Sequence, residues 1–236
     1  MKTKALQILR SSERGHANHG WLDSYHSFSF AHYYNPEQMG FRSLRVINQD
    51  VIRGGEGFDT HPHRDMEIFT YMLSGAMEHK DSMGNQGVIR PGQIQMMSAG
   101  SGVTHSEFNA SLTEDASLLQ IWIMPARQGL EPSYTEWTPT EEQLGANKSL
   151  IISPDGREQS AIIHQDAYVY RIQLETGEAL THFLAEGRGA WVQLVKGELI
   201  VNDSEIFSGD AAFTEEAGGL RLTAREPVEA LLFDLK

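Results

Sequence analysis

Short apolar stretches separated by glycine turns run through the whole chain, and this pattern limits the folds that it can adopt. The stretches are four to seven residues long and rich in β-branched or aromatic residues, and they lie at 41–47, 67–73, 94–97, 117–123, 168–174, 191–195, 198–201 and 231–235. Turn sequences such as Pro91-Gly92 and Ser208-Gly209 separate them. Since short runs of this kind are typical of antiparallel strands, the sequence predicts an all-β protein, either a sandwich or a barrel.

The two halves of the chain resemble distant copies of one β unit. Residues 70–78 are similar to residues 192–200, because each segment has an apolar strand, a glycine turn and a second strand. Residues 126–148 between the halves contain prolines and glutamates and few residues that could pack in a core, which is typical of a linker or of a surface excursion between two β units. We therefore expect domains at 1–125 and 149–236, joined by a linker at 126–148.

Charge and composition exclude several classes of function. The chain has 19 Lys and Arg against 32 Asp and Glu, a formal net charge of −13, so we expect no nucleic-acid partner. It has no cysteine, which excludes disulfides, cysteine metal sites and a thiol nucleophile. No apolar run approaches the roughly 18–20 residues of a membrane span, and no signal peptide is evident. We expect no membrane partner and a cytoplasmic location.

Two pairs of potential metal ligands have the spacing of residues on one face of a strand. His61 and His63 form the first pair, and His105 and Glu107 form the second. Because side chains two positions apart on a strand point to the same side, all four would converge if the two strands lay close together. Three imidazole nitrogens and one carboxylate oxygen suit a divalent first-row metal ion at roughly 2.0–2.2 Å, with positions left open for substrate.

The remaining histidines are interpreted as structural. Eight of the ten histidines precede residue 126, which places the chemistry in the first half. We interpret four of them as hydrogen-bonded surface residues, namely His16, His19, His26 and His32, and we expect His79 to be solvated. In the second half, Phe183 and Ala185 occupy the positions equivalent to His61 and His63. We therefore expect a C-terminal domain without metal ligands.

Two segments of the first half, 57–75 and 92–109, resemble the two motifs of the cupins. Within the cupins, the chain is similar to the pirin family, and in particular to its bacterial members. The residues that carry this similarity are Gly20-Trp21-Leu22, Phe28-Ser29-Phe30, Leu44-Arg45-Val46-Ile47-Asn48, His61-Pro62-His63, Glu67 and the run 98–107. The similarity is specific over the first half and weaker towards the C-terminus.

The resemblance implies two tandem cupin barrels, of the jelly-roll or double-stranded β-helix type, with one metal ion in the first. The implied ligands are His61, His63, His105 and Glu107. In general cupins the acidic ligand comes from the first motif, which would be Glu67 here. Glu67 lies about 13 Å along a regular strand from His63 and would need a bulge to reach the same ion. We expect Glu107 to be the ligand, and Glu67 to support the site or to be a buried, hydrogen-bonded acid.

The resemblance also implies quercetin 2,3-dioxygenase activity, in which dioxygen opens a flavonol ring and carbon monoxide and a depside are released. The implied partners are dioxygen and a flavonol-like small molecule. We further expect Glu107 to be the catalytic base as well as a ligand. Among divalent ions we favour Fe²⁺, while Zn²⁺, Mn²⁺, Co²⁺ and Ni²⁺ fit the same donors. Two alternatives stay open. One is a metal-dependent regulatory or binding module that acts on a partner protein, with incidental flavonol turnover. The other is a Lewis-acid cupin such as an isomerase.

Overall fold

The structure is a computed structural model, in which residues 6–236 are described. This part of the chain contains twenty-two strands and one α-helix, so the predicted all-β class is confirmed. The strands of the first half are β1 (Gln7–Leu9), β2 (Gly15–Asn18), β3 (Leu22–His26), β4 (Leu44–Ile52), β5 (Gly57–His63), β6 (Glu67–Ser74), β7 (Met77–Asp81), β8 (Gln86–Ile89), β9 (Ile94–Ser98), β10 (Val103–Asn109), β11 (Ala116–Ile123) and β12 (Ser133–Trp137).

Helix α1 (Glu141–Gly145) precedes the strands of the second half. These strands are β13 (Lys148–Ser153), β14 (Ala161–Ile162), β15 (Ala167–Leu174), β16 (Ala179–Leu184), β17 (Gly189–Lys196), β18 (Glu198–Val201), β19 (Ser204–Phe207), β20 (Ala211–Thr214), β21 (Gly218–Ala224) and β22 (Val228–Leu235). Short 3-10 turns occupy Ser11–Glu13 and Arg157–Gln159. In residues 6–236, no helix is both long and apolar enough to cross a membrane.

The chain forms two compact units whose limits differ from the expected 1–125, 126–148 and 149–236. The N-terminal domain comprises Gly15–Pro139 and Ala161–Gln165. The C-terminal domain comprises the described residues before Gly15 together with Thr140–Ser160 and Asp166–Lys236. The segment expected to be a linker contains β12 and α1. Strand β12 pairs with β9 along its whole length, so backbone hydrogen bonds attach it to the N-terminal domain, together with the buried side chain of Trp137.

The N-terminal domain consists of two antiparallel sheets. The larger has the strand order β12-β9-β6-β11-β4-β3-β2, and the smaller has the order β5-β10-β7-β8. Alternate residues of β10 are buried, as expected for a strand with one face turned inwards. Strand β5 contains Pro62, which has no N–H group to donate to a ladder. Its place at the edge of the smaller sheet explains why this proline is tolerated.

Apolar side chains from both sheets form the core of this domain. One buried cluster consists of Leu22, Ile52, Met72, Met77, Ile89, Ala116 and Leu118, with Trp21 and Phe58 packed against it. Its members come from β3, β4, β6 and β11 of the larger sheet and from β7 and β8 of the smaller one. The cluster therefore holds the two sheets together and fixes β7 relative to the strands that face it.

The C-terminal domain repeats this architecture, with a sheet that contains β1-β20-β17-β22-β15-β13 in that order and a second sheet with the order β16-β21-β18-β19. The turn between β17 and β18 contains Gly197 (φ +92°), and the equivalent turn between β6 and β7 contains Gly75 (φ +74°). A Cβ at Gly197 would lie 2.3 Å from the carbonyl oxygen of Pro227. Both turns therefore require glycine, in agreement with the duplicated pattern in the sequence.

Candidate metal centre

Two neighbouring strands bring the predicted ligand pairs together. Strands β5 and β10 pair antiparallel, with His61 directly opposite His105 and His63 opposite Val103. The register shifts between His105 and Glu107, so that Glu107 lies opposite Phe58. Such a β-bulge changes the direction in which side chains point. The pairing places the imidazoles of both sequence motifs on one face of the smaller sheet.

Three imidazole rings surround a single point. The ring centroids of His61, His63 and His105 lie 4.5–4.8 Å from one another. The Nε2 atoms of His61 and His105 are 3.0 Å apart, and the candidate ligand atoms of the three residues lie within 4.8 Å of one another. The Nδ1 atom of His61 donates to the carbonyl oxygen of Asp59 at 2.7 Å. This hydrogen bond leaves the Nε2 lone pair of His61 directed at its neighbours.

The surroundings keep two of these imidazoles neutral. Burial, followed by the neighbouring His105 and His61, lowers the pKa of His63 to about 4, although Glu107 acts in the opposite direction. Burial, followed by His61 and His79, lowers the pKa of His105 to about 3. Both rings are therefore unprotonated at neutral pH, and their lone pairs are available to a metal ion.

Glu107 lies beside the imidazoles and is held by side chains of the opposite sheet. Its Oε1 accepts hydrogen bonds from Gln95 Nε2 at 2.6 Å and from Thr70 Oγ1 at 3.2 Å. Its Oε2 accepts one from Gln120 Nε2 at 2.9 Å. The carboxylate is grouped with His79 and His105 rather than with the three imidazoles together. Since a carboxylate has about four acceptor positions, three donors leave one position, on Oε2, for another partner.

The donor set fits a divalent transition metal ion. Two nitrogens bound at about 2.1 Å and at right angles to each other would be about 3.0 Å apart, which agrees with the 3.0 Å between Nε2 of His61 and Nε2 of His105. Neutral imidazoles and a carboxylate are ligands that iron, nickel, cobalt, manganese and zinc all accept. The arrangement therefore suits such an ion without selecting one of them.

Glu67 is a buried, hydrogen-bonded acid. Its Oε1 accepts from Ser98 Oγ at 2.7 Å, and its Oε2 accepts from the backbone N–H of His164 at 3.2 Å. Glu67 would share the face of the first histidine pair on one regular strand, but β5 ends at His63 and β6 begins at Glu67. On β6, Glu67 and Thr70 are an odd number of residues apart, so they point to opposite faces. Thr70 contacts Glu107, and Glu67, on the opposite face of β6, therefore does not point towards Glu107.

His79 was expected to be solvated, and this prediction is wrong. The residue is fully buried and stacks on Tyr134 with the ring centroids 4.4 Å apart. Its Nδ1 lies 3.4 Å from Nδ1 of His105, and its Nε2 lies 3.2 Å from Oδ2 of Asp81. Met77, His79 and Asp81 share one face of β7, but two of the three are polar, so the local sequence gave no sign that this face is buried.

A cavity of about 700 Å³ adjoins these residues within the N-terminal domain. His61, His63 and Glu107 form part of its wall. Its aromatic lining consists of Trp21, Phe30, Tyr33, Phe58 and Trp122. The indole ring of Trp122 lies edge-on to His63, with the centroids 4.9 Å apart. A cavity of this size and composition is typical of a small-molecule site.

Four histidines interpreted as surface residues also line this cavity. His16, His19 and His32 are exposed at its wall, in keeping with that interpretation. His26 is buried and its Nδ1 lies 2.8 Å from Oδ1 of Asn48, so for His26 the interpretation is wrong. The spacing of the four histidines gave no sign of a shared cavity, because they lie on β2, in the turn between β2 and β3, on β3 and in the loop that follows β3.

The equivalent region of the C-terminal domain has a different polar arrangement. His182 is buried, with Nε2 2.9 Å from Asp234 Oδ2 and Nδ1 2.9 Å from Lys148 Nζ, and Phe183 is exposed. Within residues 6–236, the two clusters of at least three candidate metal ligands both lie in the N-terminal domain. That the C-terminal domain binds no metal stays a prediction.

Comparisons with known proteins relate this geometry to a family. The family described as Pirin matches residues 8–123, and the one described as Quercetinase C-terminal cupin domain matches residues 150–235. Quercetin 2,3-dioxygenase of Escherichia coli (strain K12) is 47% identical over 230 residues, which cover 98% of each chain. The crystal structure of YhhW from Escherichia coli matches with a TM-score of 0.95 at 47% identity, covering 98% of this chain and 97% of that one. The structure of bacterial pirin YhhW from Escherichia coli in complex with nickel(II) matches with a TM-score of 0.93 at 46% identity and covers 98% of both chains.

Proposed function

Since this chain belongs to the pirin family, we propose that it is a metal-dependent dioxygenase that opens the ring of a flavonol such as quercetin. One observation carries the proposal. Two imidazoles and a carboxylate lie together in the wall of an aromatic cavity of about 700 Å³. A planar, apolar substrate with hydroxyl groups fits this combination of an aromatic lining and a few convergent polar groups. The names of the quercetin 2,3-dioxygenase relatives support the same substrate class.

In this proposal His61, His63, His105 and Glu107 hold one divalent ion. Fe²⁺ is the ion that we favour, and the nickel(II) complex of the related bacterial pirin supports the inclusion of Ni²⁺ among the alternatives. A bound ion would supply a Lewis acid for an ionised substrate hydroxyl, together with the dioxygen chemistry that side chains lack.

Glu107 accepts the proton of the substrate hydroxyl in this proposal. Oε1 of Glu107 has two donors, Thr70 and Gln95, whereas Oε2 has one, Gln120. Oε2 is therefore the oxygen with room for the proton. The same position would also face the ion, so Glu107 would have to release the ion in part before it accepts the proton. The rings of Phe30 and Trp122, which lie edge to face with centroids 5.5 Å apart, restrict the orientation of a flat substrate and keep water away from the reacting ring.

Oxygen uptake with quercetin, measured on protein of known metal content, tests the proposal. Wild-type protein loaded with Fe²⁺ or Ni²⁺ should consume dioxygen and release carbon monoxide in proportion to the flavonol lost. His61→Ala should lose this activity, whereas His164→Ala, which lies outside the cavity lining, should keep it. Full metal occupancy without oxygen uptake would instead favour a binding or regulatory module, and turnover of a substrate without oxygen would favour a Lewis-acid isomerase. Either result would contradict the dioxygenase.

A further inference from the structure

A row of polar side chains crosses the inner face of the larger N-terminal sheet. Strand pairing places Gln95 next to Thr70, Thr70 next to Gln120, Gln120 next to Asn48, and Asn48 next to His26. Five adjacent strands thus each contribute one polar residue at the same level, where a barrel interior is ordinarily apolar. The first three of these residues hold Glu107. The proposed chemistry gives no role to the last two.

A second polar pair lies beside the far end of this row. Ser24 pairs with Asp50, as His26 pairs with Asn48, on β3 and β4. The Ser24 hydroxyl donates to Oδ1 of Asp50, and Nδ1 of His26 lies 2.8 Å from Oδ1 of Asn48. All four residues are at least nine-tenths buried, yet all four line the cavity. We call these four residues the β3–β4 cluster.

The β3–β4 cluster lies at a distance from Glu107 that an aromatic substrate can span. Gln120, which donates to Glu107, is separated from His26 by two strand spacings, or about 10 Å. The cavity continues between them, because Gln120, Trp122 and Phe30 belong to the same lining. A molecule with one ring at Glu107 would therefore place its far ring at the β3–β4 cluster.

The charges of the lining favour a neutral ligand with hydroxyl groups. Asp50 and Glu107 are acidic, and among the described residues that line the cavity there is no lysine or arginine. A buried carboxylate is stabilised by hydrogen-bond donors and repels a second negative charge. Phenolic hydroxyls supply such donors, whereas a sulfate or carboxylate on the same ring would not.

We propose that the β3–β4 cluster is a second subsite that binds the hydroxyl groups on the far ring of a neutral, polyhydroxylated aromatic substrate. This proposal rests on the proposed function, since it assumes that the reacting ring lies at Glu107. Asp50 accepts a hydrogen bond from one hydroxyl, and His26 and Asn48 orient the neighbouring position. The cluster therefore selects among flavonols by the pattern of hydroxyl groups on their pendant ring.

Binding of a matched ligand series tests the subsite independently of turnover. Three flavonols that differ only in having zero, one or two hydroxyls on the pendant ring are titrated into metal-loaded protein without oxygen. Quenching of tryptophan fluorescence reports binding, because Trp21 and Trp122 line the cavity. We expect the dihydroxy compound to bind at least about tenfold more tightly than the unsubstituted one, because its hydroxyls donate to a buried carboxylate. A ligand with a sulfate on the pendant ring should bind at least about tenfold more weakly than its hydroxyl counterpart.

Two variants should reduce this preference. Asp50→Asn should bring the three affinities to within about twofold of one another, because it removes the charged acceptor, and Ser24→Ala should narrow the differences, because it removes the hydrogen bond that orients Asp50. The controls are Asp115→Asn, in an exposed loop, and Ser117→Ala, on the opposite face of β11, and both should keep the wild-type preference. If a variant does not fold, the wild-type series still decides the question.

Failure of the subsite and failure of the proposed function give different results. Equal binding of the three flavonols by wild-type protein, or undiminished binding of the sulfated ligand, would overturn the subsite even if flavonols were consumed. A clear hydroxyl preference that depends on Asp50 would support it even if no flavonol caused oxygen uptake. In that case the dioxygenase proposal would fail and the subsite would describe a binding protein for polyphenols.

Discussion

The carboxylate of Glu107 is held by side chains from three different strands, Thr70 on β6, Gln95 on β9 and Gln120 on β11. The hydroxyl of Thr70 also lies 2.9 Å from Oε1 of Gln120, so its single proton is shared between two acceptors. Such a network fixes the position of the carboxylate more tightly than a single hydrogen bond would. Glu107 is thus oriented before any substrate arrives.

Replacement of Glu107 by glutamine separates its two proposed roles. We expect flavonol turnover in Glu107→Gln to fall by about 10²–10⁴-fold, because the amide cannot accept the substrate proton. Metal content is measured on the same sample by elemental analysis, and Glu114→Gln, at an exposed position, serves as the control. Undiminished turnover by the metal-loaded variant would rule out the role as a base.

A chain of hydrogen-bonding groups leads from the imidazole cluster to Asp81. If His105 presents its Nε2 lone pair to a metal, its Nδ1–H can donate to Nδ1 of His79, and the Nε2–H of His79 can donate to Asp81. Burial acts to raise the pKa of Asp81, but hydrogen bonds from Asn85, His79 and Met83 outweigh it and lower the pKa. Asp81 is therefore a charged acceptor at the end of the chain, and it fixes the tautomer of His105.

Removal of the charge of Asp81 should weaken metal binding. We expect Asp81→Asn to raise the Kd for Ni²⁺ by about 10–100-fold, because the tautomer and orientation of His105 are no longer fixed. Isothermal titration calorimetry measures this value. Glu78→Gln on the outward face of the same strand is the control and should bind the metal as the wild type does. An unchanged Kd in Asp81→Asn would contradict the chain of hydrogen bonds.

At the scale of residues, the sequence predicted part of the site. The spacing of His61 and His63, and of His105 and Glu107, correctly placed each pair on one face of a strand. His79 was missed because a histidine after a glycine turn gives no sign of burial by itself. Its position depends on the pairing of β7 with β10, which brings His79 next to His105, 26 residues further along the chain. Local sequence patterns do not show such a pairing.

At the scale of elements, the strands were predictable where their side chains pack in a core. The stretches at 67–73 and 117–123 correspond to β6 (Glu67–Ser74) and β11 (Ala116–Ile123). Strand β12 was not predicted, because its side chains are mostly exposed or half-buried and its pairing with β9 depends on backbone hydrogen bonds. Likewise, β1 pairs with β20, and no local pattern in the first residues indicated a partner so distant in the chain.

The contact between β5 and β10 should be sensitive to side-chain volume at Gly57. A Cβ there would lie 2.3 Å from the backbone oxygen of Glu107 and 2.5 Å from Cα of Phe108. We expect Gly57→Ala to push the strands apart, lower the stability of the N-terminal domain by about 1–3 kcal/mol and weaken metal binding. Urea unfolding and a nickel titration measure the two effects. Gly145→Ala, which meets no atom within 4 Å, is the control, and equal behaviour of the two variants would contradict the steric argument.

At the scale of the whole molecule, two domains of the same architecture carry different polar interiors. The predicted membership of the pirin family and the all-β class are confirmed, whereas the domain limits differ from those expected. The N-terminal domain contains the imidazole cluster and the aromatic cavity. In the C-terminal domain, Asp234 interacts with His182 and with Arg188. These side chains form an internal ion pair where the N-terminal domain has its cluster of candidate metal ligands.

This ion pair predicts how stability depends on pH. Burial acts to raise the pKa of Asp234, but hydrogen bonds from His182 and Arg188 outweigh it and lower the pKa below the ordinary value of 3.8. Because the folded-state pKa is lowered, the stabilisation is complete above the unfolded pKa and is lost as pH falls through the folded one. Asp234→Asn should therefore be less stable at neutral pH and should show a shallower loss of stability below about pH 4.

Thermal unfolding of metal-free protein between neutral and acidic pH measures this dependence. Asp203→Asn, in an exposed turn, should follow the wild-type curve. Parallel curves for Asp234→Asn and the wild type across the acidic range would show that the carboxylate contributes nothing to the pH dependence.

We propose that three imidazoles and one carboxylate of the N-terminal domain hold a single metal ion. Elemental analysis after saturation with Ni²⁺ and removal of the excess tests it most directly, on wild-type protein and on His63→Ala and His105→Ala. We predict one ion per chain in the wild type and a large loss of metal in both variants, while His182→Ala in the C-terminal domain keeps its ion. Metal content that is unchanged in the His63 and His105 variants, or lost in the His182 variant, would contradict the claim.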